Sequence, residues 1–236
     1  MLPVVSRTFI SGCLSTFLGG ILACRFGHKL SSRTLAFSFS VTSGIMLHIG
    51  IFDLFLNSYL SIGPIPSHLA FFIGILLFSL ILFIVPSPSL PNSNNPKLLR
   101  SGFVVFLSIS LHNLPEGLVV GLPNSSSTTM AAIILHNVIE GLVMSIPLKS
   151  AKVSTFKVLL FAFLSGLSET IGGCLLLFLS PSTFLLELLN AGLGGIMTLT
   201  SLLLLPDAFV RVKGEVVVTF VVIGMILSSV LYCFGG

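Results

Sequence analysis

Apolar runs long enough to cross a bilayer recur eight times along this 236-residue chain, and little is left between them. A hydrocarbon core about 30 Å thick takes roughly 20 residues of helix. In lipid, backbone N–H and C=O groups must find partners within the segment, so uniformly apolar runs of this length are expected to be helices. The spans are expected near residues 4–24, 35–57, 68–86, 101–122, 128–148, 153–179, 183–209 and 215–234. With 54% hydrophobic and 8% charged residues, no soluble domain of useful size remains outside them. The expected fold is therefore all-α: a polytopic membrane protein with eight transmembrane helices in a single bundle, one domain over residues 1–236.

The connections are short and carry Pro, Ser, Asn or Gly: residues 61–66, 86–96, 123–127 and 180–182. The segment 86–96 (PSPSLPNSNNP) has the composition of an exposed, irregular connector. Arg25, Lys29 and Arg33 fall between the first and second spans, and Lys97 and Arg100 between the third and fourth. Lys149, Lys152 and Lys157 flank the fifth connection, and Arg211 and Lys213 fill the seventh. Ten of the 11 basic residues thus lie on one side, Arg7 being the exception, and the positive-inside rule puts both termini on the non-cytoplasmic side. The formal charge of +4 is read as topological anchoring, with no nucleic-acid partner.

Arg7 before an apolar stretch, with Ile21-Leu22-Ala23-Cys24 behind it, has elements of a secretory or lipoprotein leader. The stretch is long and a basic cluster follows it, so an uncleaved first helix is expected. The four cysteines (Cys13, Cys24, Cys174, Cys233) have no paired spacing and are expected to be reduced structural residues. Gly19-Gly20, Gly172-Gly173, Gly192 and Gly194-Gly195 are expected to be surfaces of close helix packing. The 21 phenylalanines are read as lipid-facing.

Inside this apolar background stand two related hexapeptides, His112-Asn113-Leu114-Pro115-Glu116-Gly117 and, 24 positions on, His136-Asn137-Val138-Ile139-Glu140-Gly141. In each the His and Glu are four apart, so on a helix they share one face, about 6 Å apart along the axis. Counted at about 1.5 Å per residue, both pairs fall near the membrane midplane. The two helices are antiparallel neighbours joined by a short connection. Buried carboxylates must be paired, neutralised or bound to a cation. Asp53 and Glu169 also lie within spans, whereas Glu187, Asp207 and Glu215 lie near helix ends, where solvation suffices. His48 is read as a packing residue, and His28 and His68 as solvated at loop edges.

Imidazole nitrogen and carboxylate oxygen without thiolate suit Zn²⁺, Fe²⁺ or Mn²⁺, with Co²⁺ and Ni²⁺ also compatible. Two carboxylates can bridge two ions, with Asn113 and Asn137 adding neutral oxygens and Glu169 a third acid. Pro115 is expected to kink its helix and free a carbonyl near residue 111. Broken helices of this kind commonly line transport sites. A Gly after each Glu has a plainer use in close helix packing.

The two hexapeptides resemble the signature of the ZIP (Zrt/Irt-like) family of divalent metal transporters, and its GufA-like branch in particular. Residues 165–173 (SGLSETIGG) are similar to that family's sixth-helix segment and residues 43–55 (SGIMLHIGIFDLF) to its second helix. The resemblance implies movement of zinc, or of iron or manganese, into the cytoplasm from outside or from an organelle lumen. It implies a primary site of His112, Glu116, His136 and Glu140. A second site would join Asn113, Asn137 and Glu169 to the shared Glu116 and Glu140, with Asp53 as a further transport residue. The metal would be substrate rather than prosthetic group, and the expected partners are the metal ion and the lipid of a plasma or organelle membrane. The reading leaves room for a homodimer.

Three departures stand out. Ile139 replaces the usual second-motif Pro, residues 87–100 lack sensing histidines, and the seventh span lacks a mid-span acid, leaving Asp207 near its inner end. Two other classes use the same ligands: a membrane-embedded zinc hydrolase that activates water, and a metal sensor that binds without transporting. Against the hydrolase, the chain has neither His-Glu-x-x-His nor Gly-x-Ser-x-Gly.

Overall fold

A computed structural model describes residues 2–26, 31–84, 95–121, 127–176, 178 and 182–235. The eight expected helices are present. Helix α1 runs as Leu2–Thr8, a π-helical stretch Phe9–Leu14, and Ser15–Phe26. Helix α2 has the same build: Ser32–His48, a π-helical stretch Ile49–Leu56, and Asn57–Ile62. Then follow α3 (Pro64–Ile84), α4 (Pro96–Val120), α5 (Ser127–Ser150), α6 (Thr155–Leu176), α7 (Thr183–Phe209) and α8 (Gly214–Gly235). Among the described residues, seven are long and apolar enough to cross a membrane, and the apolar stretch Gly214–Val230 of α8 is somewhat shorter. This is a multi-pass integral membrane protein.

Several prolines expected in connections start helices instead. The 61–66 linker contracts to Gly63: α2 continues to Ile62 and α3 begins at Pro64. Proline suits the first helical turn, where its missing N–H has no partner to lose. Gly63 makes the reversal at φ 85°, a region closed to most side chains, with its N–H bonded to the Tyr59 carbonyl. Likewise α4 opens at Pro96 behind Asn95, whose Oδ1 accepts the Leu98 N–H at 3.2 Å. Lys97 and Arg100 therefore sit in the first turns of α4. Ser182 caps α7 through the Leu185 N–H at 3.2 Å.

The chain divides into two compact units, one built on α1, α4, α5 and α6, the other on α2, α3, α7 and most of α8. In the first, α4 lies along α6 and α1 along α5 and α6. Glycines set the spacing. A Cβ on Gly19 would strike the Val138 carbonyl and one on Gly141 the Thr16 carbonyl, so α1 and α5 meet backbone to backbone. Gly117 against the Glu169 carbonyl and Gly172 against the Leu114 carbonyl do the same for α4 and α6. Such approach is what helix association in lipid depends on.

In the second unit, Gly74 faces Gly192 and Gly195 faces the Phe71 carbonyl, drawing α3 onto α7. Gly50 and Gly194 bring α2 onto α7, and Gly44 and Gly224 bring α2 onto α8. Ser43 and Ser201 exchange hydroxyl-to-carbonyl hydrogen bonds of 2.9 Å. The reading of Phe as lipid-facing holds for Phe72 and Phe83, which are exposed, but Phe39 and Phe78 are core residues. Glu187, expected to need only solvent, accepts a hydrogen bond from Ser58 at 2.9 Å. His68 sits in the first turn of α3 against Phe55 and Tyr59, exposed as expected.

Candidate metal centre

Helices α4 and α5 each bring their hexapeptide to the interior of the first unit. The imidazoles of His112 and His136 stand with ring centres 5.8 Å apart. Nε2 of His136 approaches Oε1 of Glu140, four residues on, to 3.0 Å. One ligand atom from each of His112, His136 and Glu140 falls within 4.8 Å of the others. Donors around one tetrahedral zinc are roughly 3.4 Å apart, given bonds of about 2.1 Å. The three side chains need close by only about an ångström to share an ion. Glu116 lies in electrostatic range of His136 and Glu140, with its Oε2 buried.

The asparagines are held so that their oxygens stay available. Nδ2 of Asn113 donates to the Ser165 carbonyl of α6 at 3.3 Å. Nδ2 of Asn137 donates to the Ser11 carbonyl of α1 at 2.8 Å and to Oε2 of Glu169 at 2.7 Å. Both amides are fully buried, and their amino groups are taken. Among the described residues, Oδ1 of both asparagines, Nδ1 of His112, Oε2 of Glu116 and Oε2 of Glu140 are buried without a hydrogen-bond partner. Unmade bonds at buried oxygens are costly, each about 1–3 kcal/mol. That these five atoms all belong to the two hexapeptides matches the needs of a cation better than those of a packed core.

Glu169 of α6 is fully buried and bonded at both oxygens, by Asn137 and by the Ser11 hydroxyl. It lies in electrostatic range of Glu116 and Glu140, so three carboxylates share this interior. Seven of the eight sequence candidates thus belong to one unit. The eighth, Asp53, is on the π-helical stretch of α2 in the other unit, its Oδ2 3.6 Å from Nδ1 of His48. His48 also stacks on Phe52. Helix α4 continues through position 115, while the Pro115 ring, and with it the expected kink, lies outside the described side chains. His28 and the side chain of Cys233 also lie outside them. Cys13, Cys24 and Cys174 are free thiols.

The sequence reading missed Ser11, whose hydroxyl reaches Glu169, and Ser165, whose carbonyl holds Asn113. Serine in an apolar helix usually bonds back to its own carbonyls, so nothing in these positions marks them. It also read Lys149 as a loop anchor. The residue is buried at the end of α5, with Nζ donating to Thr155 Oγ1 at 2.8 Å.

Residues 93–232 match the model of the ZIP Zinc transporter family. The chain is 34% identical to the zinc transporter ZupT of Chlorobaculum parvum, over 95% of this chain and 94% of that protein. It is 33% identical to the zinc transporter ZTP29 of Arabidopsis thaliana, over 98% and 94% of the two. To ZupT of Akkermansia muciniphila it is 30% identical, over 98% and 97%. With paired His-x-x-x-Glu helices, buried oxygen donors and a likeness that runs nearly end to end, the chain belongs to the ZIP zinc transporter family.

Proposed function

We propose that the protein moves zinc, with iron and manganese as chemically allowed alternatives, across its membrane and into the cytoplasm. The observation that carries this reading is the convergence of His112, His136 and Glu140 in the core of a helical unit. Zinc transport is also what the names of the relatives describe.

In this reading His112, Glu116, His136 and Glu140 hold the first ion. Asn113, Asn137 and Glu169 hold a second, with Glu116 and Glu140 bridging. Mixed nitrogen and oxygen ligands without thiolate give a site that can release its ion. Asp53, beside His48, is a further cation-handling group on α2. The whole chain acts as one transporter domain, with both termini on the non-cytoplasmic side and a homodimer as a compatible assembly. Binding and release are the chemistry asked of these groups, and neither the hydrolase nor the sensor reading gains an observation of its own.

Uptake of radioactive zinc into proteoliposomes tests this. Saturable uptake is expected from the native protein and is expected to vanish in His112→Ala and in the Glu116→Ala/Glu140→Ala double variant. Normal uptake by the double variant would remove the site from the transport path.

A further inference from the structure

We propose that Ser11, in the π-helical stretch of α1, is a positioning residue of the second metal position, holding Glu169 and Asn137 in ligating orientation. The inference rests on the transport reading above but concerns a residue on a helix outside both hexapeptides.

Three contacts meet at Ser11. Its hydroxyl donates to Oε1 of Glu169. Its carbonyl accepts Nδ2 of Asn137 at 2.8 Å. Asn137 closes the triangle by donating to Oε2 of Glu169 at 2.7 Å. Glu169 therefore has each oxygen fixed by a different helix, leaving the remaining lone pairs for a cation. Asn137 is held by two acceptors at its amino end, which turns Oδ1 away from both. The Arg7 carbonyl of the same helix also lies 2.9 Å from the Ser11 hydroxyl, so the one hydroxyl proton is shared between that carbonyl and Glu169.

The backbone explains why this position can do it. A π-helical stretch shifts the residues around it relative to a regular helix, and such stretches gather at functional sites. Here it coincides with a close approach of α1 to α6. A Cβ on Gly12 would lie 2.5 Å from the Glu169 Cβ and 2.6 Å from Oε2, and a Cβ on Gly166 would lie 2.5 Å from the Gly12 carbonyl. The two glycines let the α1 backbone reach the carboxylate. Ser11, Gly12, Asn137 and Glu169 are all buried. A purely structural serine would be satisfied by Arg7 alone. The second acceptor, a carboxylate in a cluster of three, is what assigns it to the site.

The test is a zinc titration of the purified full-length protein in detergent, with no other ligand, followed calorimetrically and compared with Ser11→Ala and Ser11→Thr. Two binding steps are expected in the native protein. Ser11→Ala is expected to weaken the weaker step about tenfold, the size of one hydrogen bond to a charged group, and to leave the stronger step within twofold. Ser11→Thr, which keeps the hydroxyl, restores the weaker step. If Ser11→Ala does not fold, Ser11→Gly removes the same hydroxyl beside Gly12. The proposal is overturned if the native protein shows a single step, if both steps survive the loss of the hydroxyl, or if both weaken alike. The transport reading fails on a different result: zinc binding and uptake that persist in His112→Ala.

Discussion

An asparagine buried in an apolar helix has four hydrogen-bonding positions to account for, and what it leaves unmade is informative. Asn137 spends its amino group on Ser11 and Glu169 and keeps Oδ1 in reserve. Replacing it by Asp reverses the logic, because two donated bonds disappear and a carboxylate comes to face Glu169. Burying an unpaired charge costs about 3 kcal/mol or more. Asn137→Asp is therefore expected to melt well below the native protein without metal, and zinc is expected to raise its melting temperature more than it raises that of the native protein. Equal shifts with zinc would mean that no cation sits between the two groups. The glycines offer a cleaner steric contrast. A Cβ at Gly117 or Gly141 would collide with a backbone carbonyl of the neighbouring helix, whereas at Gly192 the nearest atom is 3.4 Å away. Gly117→Ala and Gly141→Ala should each destabilise by roughly 1–3 kcal/mol, and Gly192→Ala by little. Thermal unfolding in detergent separates the three.

Helices in this chain are announced by apolar length but delimited by capping chemistry. Gly63 adopts a backbone conformation reserved for glycine while nothing within 4 Å crowds its side-chain position. Gly63→Ala should thus cost about 1–3 kcal/mol from backbone strain alone. Ser182→Ala, which removes the cap of α7, should cost about 1 kcal/mol. Both are read as lowered melting temperatures with zinc binding unchanged. These ends also show where the sequence was legible. All eight helices were visible, because lipid allows a long apolar run few alternatives. The hexapeptides were visible too, since charge in such a run demands a reason. Pro64, Pro66 and Pro96 were misread because proline marks both a turn and the first helical turn, and only the neighbouring cap separates the two. The π-helical stretches in α1 and α2 leave no composition signal. Ser11 was invisible for that reason: its part depends on a backbone irregularity and on two glycines that face each other across 154 positions, Gly12 and Gly166.

Across the molecule, charge is sorted by helix end within each unit. In the unit of α2, α3, α7 and α8, one pocket of about 700 Å³ is lined by Arg33, at the start of α2, and by Arg211 and Lys213 of the connection between α7 and α8. In the other unit, a Cβ on Gly102 would lie 2.6 Å from Leu148, so the start of α4, with Lys97 and Arg100, lies beside the end of α5, with Lys149. Gathering cations at one end in this way is how a multi-pass protein fixes its orientation during insertion. It follows that the Gly63 turn, at the far end of α2 from Arg33, should face away from the cytoplasm. In a background with the native cysteines replaced, and in cells that carry the protein at the plasma membrane, Ser61→Cys should react with a thiol reagent that cannot cross membranes, while Lys213→Cys should react only after permeabilisation. Both residues are exposed, so access to the reagent depends on the side of the membrane rather than on burial. The reverse labelling pattern would put the basic ends outside and overturn the inward direction of transport proposed for this chain. Labelling of both in intact cells would mean that the basic clusters do not set a single orientation.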